Sequence, residues 1–275
     1  MAQLRRSAKP SGDWTANELD AYHITVVSEN KEQFFSMPNL PTSSRPSLVG
    51  FMTTADRKHA TDSETKKLLH FLDLALDPRG GQEAAVDNFV AKLLEMLGYG
   101  GDDGIIFARH VFPLVICGES SSVQTSICVM DDDDKILLLV HVDERLSNLK
   151  DPEPQVIAEA IAAFAANNRV RVTTLGLAPL ASAIFPAITM IGTNPIFYGI
   201  TVTTELITAV QHGTYPEKET KVYRYIPVLP KRQSLGMRPL ENRVEILACL
   251  EAFKRALGLW HALSSIPQWT DLIVN

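Results

Sequence analysis

The chain contains 275 residues, of which 45% are apolar and 21% are charged. These proportions are typical of a globular protein and exclude a disordered or collagen-like chain. The formal net charge of −6 argues against binding to nucleic acid. Because Pro179, Pro186 and Pro195 interrupt the most apolar segment, the sequence contains no run of about 18 apolar residues and predicts no membrane span.

The N-terminus and the cysteines indicate a reducing compartment. The first residues, MAQLRRSAKPSGDW, include charges but lack the apolar segment of a secretory signal. Cys117, Cys128 and Cys249 are an odd number without Cys-x-x-Cys spacing, which predicts neither a disulfide framework nor a zinc site. We therefore expect the protein in the cytoplasm or the nucleus.

The first predicted elements in chain order are two helices and a connection. Thr15-Ala-Asn-Glu18 is a capping box, which predicts a short helix. Three prolines between Ser36 and Ser47 predict an extended surface connection. Leucines at helical spacing predict a second helix after Asp62. These leucines are Leu68, Leu69, Leu72 and Leu76.

The clearest amphipathic helix is predicted over Glu83–Leu97, where six apolar residues share one face. They are Val86, Phe89, Val90, Leu93, Leu94 and Leu97. Gly98 is expected to end this helix, and three apolar, β-branched runs follow. Because short polar connections separate the runs, they predict an antiparallel meander of three strands. The runs are Val111–Cys117, Val123–Met130 and Ile136–Val142.

A further helix is expected from Asp151-Pro152, since Asp favours the N-cap and Pro the first helical position; Asn167-Asn168 is expected to end it. Several shorter elements are predicted after this helix. They are strands around Arg171–Leu177, Ile184–Ile191 and Phe197–Val202, a helix over Thr204–His212 closed by Gly213, a strand over Lys221–Val228 and a helix from Glu241.

The order α, β, β, β, α, β over residues 83–177 predicts one α+β core with additional elements on both sides. We expect residues 63–275 to form a single domain, and residues 1–62 to be an N-terminal extension that packs on it.

Charge is distributed unevenly along the chain. Residues 101–160 contain twelve acidic and four basic side chains, whereas residues 215–255 contain nine basic and five acidic ones. The second segment therefore holds the best candidate for a surface that binds an anionic ligand, although a mixed, solvated face is an alternative. Its candidate residues are Lys231, Arg232, Arg238 and Arg243, interleaved with Tyr223 and Tyr225.

The element order is also that of the core of the PD-(D/E)XK nuclease superfamily. Over roughly residues 83–255, six stretches resemble a large fungal group of PD-(D/E)XK-like proteins. They are Phe112–Glu119, Gln124–Asp131, Ile136–Val140, Asp151–Phe164, Pro186–Gly192 and Gly236–Arg243. The resemblance implies a restriction-endonuclease-like αβββαβ core, in which helices flank a mixed central sheet, with N- and C-terminal additions.

The superfamily resemblance also implies where a metal site would lie. In that superfamily an Asp of the second core strand and a Glu of the third bind Mg²⁺, and a Lys two residues after the Glu acts on the attacking water. The fungal group typically has Gln-Thr-Asp and Glu-Asp-Lys at these strands. The corresponding positions here hold Ser126, Val142 and Glu144. We therefore expect a degenerate site without a metal, and Mg²⁺ or Mn²⁺ only if the protein is a nuclease after all.

Two alternatives remain open at this point. A strand shifted by one residue would turn His141, Asp143 and Arg145 inward and would give a nuclease with a migrated site, at the cost of turning apolar partners outward. Alternatively, Glu144, Asp143 or His141 could act as acid–base groups of a metal-independent enzyme on a small molecule. A structural, hydrogen-bonded histidine is the competing interpretation of His141.

The pocket beside these residues is expected between the first core helix and the sheet. Glu83 and Asp87 on that helix, together with Ser126, Val142 and Gln155, are the candidate pocket residues. A solvated helix face is the alternative for the two acidic residues, and a simple first-turn polar residue is the alternative for Gln155. A vacant or repurposed pocket would bind a small molecule or a protein partner.

Overall fold

A computed structural model describes residues 7–42, 45–78, 80–82, 84–101, 104–143 and 151–264. The strands are β1 (Ile24–Ser28), β2 (Ile105–Ala108), β3 (Val111–Ile116), β4 (Glu119–Gln124), β5 (Ile127–Met130), β6 (Ile136–Asp143), β7 (Ser182–Ile191), β8 (Asn194–Thr203) and β9 (Thr220–Tyr225). The α-helices are α1 (Ala16–Ala21), α2 (Lys31–Phe35), α3 (Pro46–Thr53), α4 (Ser63–Leu76), α5 (Ala85–Leu97), α6 (Glu153–Thr173), α7 (Thr204–His212) and α8 (Leu240–Ser264).

A seven-stranded mixed sheet organises the fold, with the strand order β1-β9-β8-β7-β6-β5-β2. The pairs β1–β9 and β6–β7 are parallel, and the other neighbouring pairs are antiparallel. The strands β1, β6, β7 and β9 therefore all end at the same side of the sheet, which we call the carboxyl edge.

Helices cover both faces of this sheet and create two apolar clusters. The first cluster lies between the sheet and the helices α2, α3, α4, α5 and α8. The second lies between the opposite face and α1, α6, α7 and the separate hairpin β3–β4. We refer to these as the α5 face and the α6 face. The expected α+β architecture, in which helices flank a mixed central sheet, is thus confirmed.

Local sequence signals place several helix ends correctly. Thr15 and Glu18 form the predicted capping box at α1. The Asp62 side chain accepts a hydrogen bond from the Thr65 backbone N–H at 2.8 Å and caps α4. Gly98 and Gly213 adopt left-handed conformations at the ends of α5 and α7, which glycine reaches without steric cost.

The predicted three-stranded meander is wrong in two respects. The first run, β3, pairs with β4 in a two-stranded hairpin outside the main sheet. The second run is divided, because residues up to Gln124 pair with β3 whereas β5 pairs with β6. At the corner between them, the Thr125 hydroxyl donates to the carbonyls of Ile127 and Val140. In the main sheet, the neighbour of β5 that the predicted first run was expected to provide is β2. The sequence did not predict β2.

The predicted end of α6 is also wrong. The helix continues past Asn167 and Asn168 to Thr173, so the strand expected over residues 171–177 is absent. Each asparagine side chain pairs with both backbone groups of one distant residue, Asn167 with Ile136 and Asn168 with Leu180. The order α, β, β, β, α, β nevertheless occurs along α5, β2, β5, β6, α6 and β7.

The N-terminal residues are built into both faces of the sheet. Strand β1 pairs with β9 at one side of the sheet. Trp14 and Tyr22 are buried in the cluster on the α6 face, and Phe34 and Phe51 are buried in the cluster on the α5 face. In the described part of the chain, every helix is too short or too polar to cross a bilayer.

Candidate functional site

The position of the expected third-strand carboxylate lies in an apolar environment. Val142 is 7% exposed and belongs to the apolar cluster on the α5 face. Its backbone N–H donates to the Ser126 hydroxyl oxygen at 3.0 Å. The residue at the expected Asp position is therefore used in a hydrogen bond that joins the start of β5 to β6. Hard divalent cations prefer carboxylate oxygens, which neither side chain offers.

Asp87 is held near the carboxyl edge in the first turn of α5. Burial raises the pKa of its carboxyl group, and the charges of Arg109 and His141 partly offset this effect. Its Oδ1 atom is buried and has no hydrogen-bond partner in the described part of the chain. Asp87 is thus half-buried rather than on a solvated helix face. Glu83 and Glu144, and also Arg145 of the shifted register, lie outside the described residues.

On the α6 face, His141 forms a buried pair with a residue that sequence reasoning missed. Its Nδ1 atom lies 3.0 Å from Oε1 of Glu159 on α6. The side-chain amide of Gln155, one turn earlier, donates to the same oxygen at 3.3 Å. Glu159 is fully buried, and its second oxygen, Oε2, has no hydrogen-bond partner among residues that the structure describes.

The His141–Glu159 pair has electrostatic consequences for the imidazole. Burial disfavours the imidazolium, but the hydrogen bond and charge of Glu159 outweigh burial and raise the pKa of His141. The charges of Asp143 and Asp87 act in the same direction. A carboxylate beside an imidazole favours the charged form in this way.

The pair is one end of a row of polar side chains that crosses the sheet on its α6 face. His141 is the register partner of Thr189, and Arg224 is the register partner of both Tyr198 and Ser28. Thr189 and Tyr198 are diagonal neighbours, because Tyr198 is in register with Ala187, two residues before Thr189. Residues in register point to the same face. We call these five residues the polar row.

Helix α6 supplies two carboxylates to the polar row. Glu159 contacts His141, and Glu153 accepts a hydrogen bond from Nη1 of Arg224 at 2.8 Å. Burial raises the pKa of Glu153, and the charge of Arg224 partly offsets it. Burial also raises the pKa of the Tyr198 hydroxyl.

The predicted site residues are therefore divided between the two faces of the sheet. Val142 packs on the α5 face, whereas His141, Gln155 and, by strand alternation, Asp143 lie on the α6 face. The structure brings His141 and Gln155 together through Glu159, and Ser126 and Val142 together through one hydrogen bond.

A signal for Glu159 was present in the sequence. The segment Val156–Phe164 is otherwise entirely apolar and is buried along its whole length. An acidic residue inside such a segment is rarely tolerated without a partner. Arg224 and Tyr198 had no comparable signal, because their positions depend on the pairing of β8 with β9 and of β9 with β1.

The candidate surface for an anionic ligand has fewer accessible residues than the sequence predicts. Arg243 is buried at 1% exposure and Tyr225 is also buried, so neither can contact an external anion. Lys231, Arg232 and Arg238 are exposed, as predicted.

No metal site is evident in the described ranges, where no three His, Cys, Asp or Glu side chains converge closely enough to hold an ion. Among the cavities lined by described residues, two lie away from the polar row. One, of about 350 Å³, lies along α7 and the turn that contains Tyr215. The other, of about 60 Å³, lies between the end of α6 and the start of β7.

Comparison with known proteins adds no family assignment. A scan against protein-family models finds no match to this chain, and a search of curated proteins finds none either.

Proposed function

We propose that the chain is a PD-(D/E)XK-like protein that has lost its catalytic metal site and binds a small molecule or a protein partner. The observation that carries this proposal is Val142, an apolar side chain packed in the α5-face cluster where the superfamily resemblance implies a metal-binding Glu. The order α5, β2, β5, β6, α6, β7 supports the proposed fold family.

The Ser126 hydroxyl supports the same proposal. Where the superfamily resemblance implies an Asp that binds Mg²⁺, this hydroxyl accepts the Val142 N–H. The proposal includes a reducing compartment, the cytoplasm or the nucleus; all three cysteines are free, and Cys128 and Cys249 are buried.

The proposal is tested by calorimetry and melting experiments with Mg²⁺ and Mn²⁺. We expect neither metal to bind at micromolar concentration or to raise the melting temperature of the wild-type protein. In the triple variant Ser126→Asp/Val142→Glu/Glu144→Lys, which restores the superfamily residues, we expect lower stability without metal and a rise with Mn²⁺, because the ion neutralises the buried carboxylates.

A nuclease assay completes this test. The wild-type protein is incubated with single- and double-stranded DNA and RNA and Mn²⁺, with and without a chelator. We expect no cleavage that the chelator abolishes. Chelator-sensitive cleavage by the wild-type protein that is lost in Asp87→Asn or Asp143→Asn would overturn the proposal and restore the nuclease with a migrated site.

A metal-independent acid–base enzyme is the second candidate, and the His141–Glu159 pair favours it. The side chain of His141 remains 12% exposed, while Glu159 is fully buried and holds the imidazole by Nδ1. This arrangement fixes the ring and leaves Nε2 to accept or donate a proton, which is the general acid–base role of histidine.

The second candidate is tested with a panel of chromogenic esters, glycosides and phosphate esters. Activity that is lost in His141→Gln and Glu159→Gln but kept in the control His110→Gln would support it. Absence of activity across the panel, or equal activity in His141→Gln and the wild-type protein, would reject it.

A further inference from the structure

Residues 226–238, which follow β9 at the carboxyl edge, form a surface segment that we call the basic loop. The segment contains three cations and no acidic residue. Two buried residues of α8, Asn242 and Arg243, lie beneath it. A charged side chain, that of Arg243, is thus buried beneath a surface loop.

Among the described residues, the hydrogen bonds of Arg243 all go to backbone carbonyl oxygens. Its guanidinium donates to the backbone carbonyls of Met237 and Arg238 in the basic loop, and to those of Phe51, Thr54 and Ala55 around the end of α3. It also lies 4.5 Å from the centre of the Phe51 ring. The guanidinium therefore joins the loop to the core.

Asn242 anchors the loop at two further positions. Its side-chain oxygen accepts the Lys231 N–H at 2.8 Å, and its amide donates to the Gly236 carbonyl at 2.9 Å. The Met237 N–H donates to the Thr193 hydroxyl oxygen at 3.0 Å. A β-carbon at Gly236 would overlap that hydroxyl, so the loop requires glycine there. Residues 231–238 of the loop are therefore anchored to the core before any partner binds.

The outer surface of the basic loop combines aliphatic and cationic side chains. Val228 is 83% exposed, and Ile226 and Leu235 are also exposed. Lys231 pairs with Glu241 at 3.3 Å. Across the described ranges, Arg232 and Arg238 have no carboxylate within ion-pair distance. The basic loop thus carries exposed aliphatic side chains near its start and, in its anchored part over residues 231–238, two guanidinium groups without an ion-pair partner among the described residues.

We infer that the basic loop is a docking site for an acidic, aliphatic peptide segment of a partner protein. Charge complementarity assigns the acidic residues of the partner to Arg232 and Arg238, and the exposed Val228 and Ile226, which precede them in the loop, match aliphatic side chains of the same peptide. A preformed loop saves the entropy of ordering on binding.

Nucleic acid fits this surface less well than a peptide. Phosphate-backbone binding relies on many cations, and single-stranded binding relies on exposed aromatic rings for base stacking. The loop has three cations, one of them already paired, and no aromatic residue. The inference does not depend on the loss of the metal site and stands or falls separately from it.

The test is a selection with the full-length protein against a randomised dodecapeptide library displayed on phage. We expect the selected peptides to be enriched in Asp or Glu together with Leu, Ile, Val or Met. Arg232→Glu/Arg238→Glu is expected to weaken the selected peptide by at least about tenfold, because it reverses the charges that face the peptide. Val228→Ser is expected to weaken it about threefold.

The control variant Lys58→Glu/Lys66→Glu makes the same change in net charge at exposed sites elsewhere, and we expect it to bind as the wild-type protein does. A failure to select acidic, aliphatic peptides would overturn the inference, as would equal weakening by the two charge reversals. Binding to phosphatidylserine vesicles or single-stranded DNA that Arg232→Glu/Arg238→Glu abolishes, without peptide binding, would assign the loop to those ligands instead.

Discussion

Two basic side chains packed against the sheet, Arg243 and His141, are stabilised by different groups. Arg243 is surrounded by five backbone carbonyls and an aromatic ring, whereas His141 pairs with the carboxylate of Glu159. Burial lowers the pKa of Arg243 to about 10, so its guanidinium is still charged at neutral pH. For Arg243, burial of charge is tolerated because hydrogen bonds replace water, whereas for His141 the Glu159 carboxylate favours the charged form.

Arg243→Met is expected to lower the free energy of unfolding by about 3 kcal/mol, because several buried carbonyls lose their donor at once. The measurement is urea unfolding followed by circular dichroism. The matched control is Arg238→Met, whose side chain is exposed and for which we expect a change within about 0.5 kcal/mol. Equal effects of the two substitutions would show that Arg243 does not anchor the basic loop.

The His141–Glu159 pair predicts a pH-dependent stability. Because the pKa of His141 is raised in the folded state, the folded protein binds more protons than the unfolded one above the ordinary histidine pKa of about 6.5. The stabilisation is complete below that pH and is lost as pH rises through the folded-state pKa.

We therefore expect His141→Gln to destabilise the protein more at about pH 5.5 than at about pH 8.5. Urea unfolding at both pH values measures the difference. Glu159→Gln removes the main group that raises the pKa of His141 and leaves burial, which lowers it, so the pH dependence attributed to His141 should shrink or reverse in that variant. An effect of His141→Gln that is the same at both pH values would contradict the prediction.

The sequence identified His141 and Gln155 as site candidates, but it placed them in one pocket with Val142. Strand alternation decides this point, because Val142 and His141 are adjacent on β6 and must face opposite sides. The sequence did not predict the burial of Arg243. Its five acceptors lie up to 192 residues from Arg243 along the chain, so they leave no local pattern.

Among the elements, helices with local signals were predicted well and tertiary pairings were not. The N-cap Asp62 and the glycines Gly98 and Gly213 act within one turn of a helix, so their effect can be deduced from neighbouring residues. The end of α6 is different. Asparagine normally disfavours a helix interior, but the side chains of Asn167 and Asn168 bond backbone groups of Ile136 and Leu180, and the helix continues past them.

Asn167→Ala is expected to lower the free energy of unfolding by about 2 kcal/mol, because both backbone groups of buried Ile136 lose their partner. Asn168→Ala, which frees Leu180 in a more exposed segment, is expected to cost less than about 1 kcal/mol. Urea unfolding of both variants gives the comparison. A larger loss for Asn168→Ala would contradict the role of Asn167 in holding the start of β6.

In the whole molecule, the N-terminal residues complete the sheet rather than only covering it. Strand β1 pairs with β9, and Trp14 and Tyr22 fill the apolar cluster on the α6 face. The division into residues 1–62 and 63–275 stays a prediction about domains, while the packing shows that both parts share the same clusters.

We expect a chain that lacks residues 7–30 to be insoluble, because removal of these residues uncovers β9 and the apolar surface beneath Trp14 and Tyr22. Expression followed by size-exclusion chromatography tests this. Adding residues 7–30 as a separate peptide should restore solubility. A soluble truncated chain with a cooperative thermal transition would contradict the prediction.

Strand β2 is the last strand of the sheet at the end of the strand order opposite β1. Strand β2 reads Ile-Ile-Phe-Ala, and both Ile105 and Phe107 are exposed. Natural edge strands are commonly blocked by lysine, proline or a bulge, and β2 has neither lysine nor proline. The side of β2 that faces away from β5 is therefore an apolar strand edge against which a second molecule can pair. We expect Phe107→Lys to slow the aggregation of heated protein, measured by light scattering, and equal aggregation of the variant and the wild-type protein would contradict this role of β2.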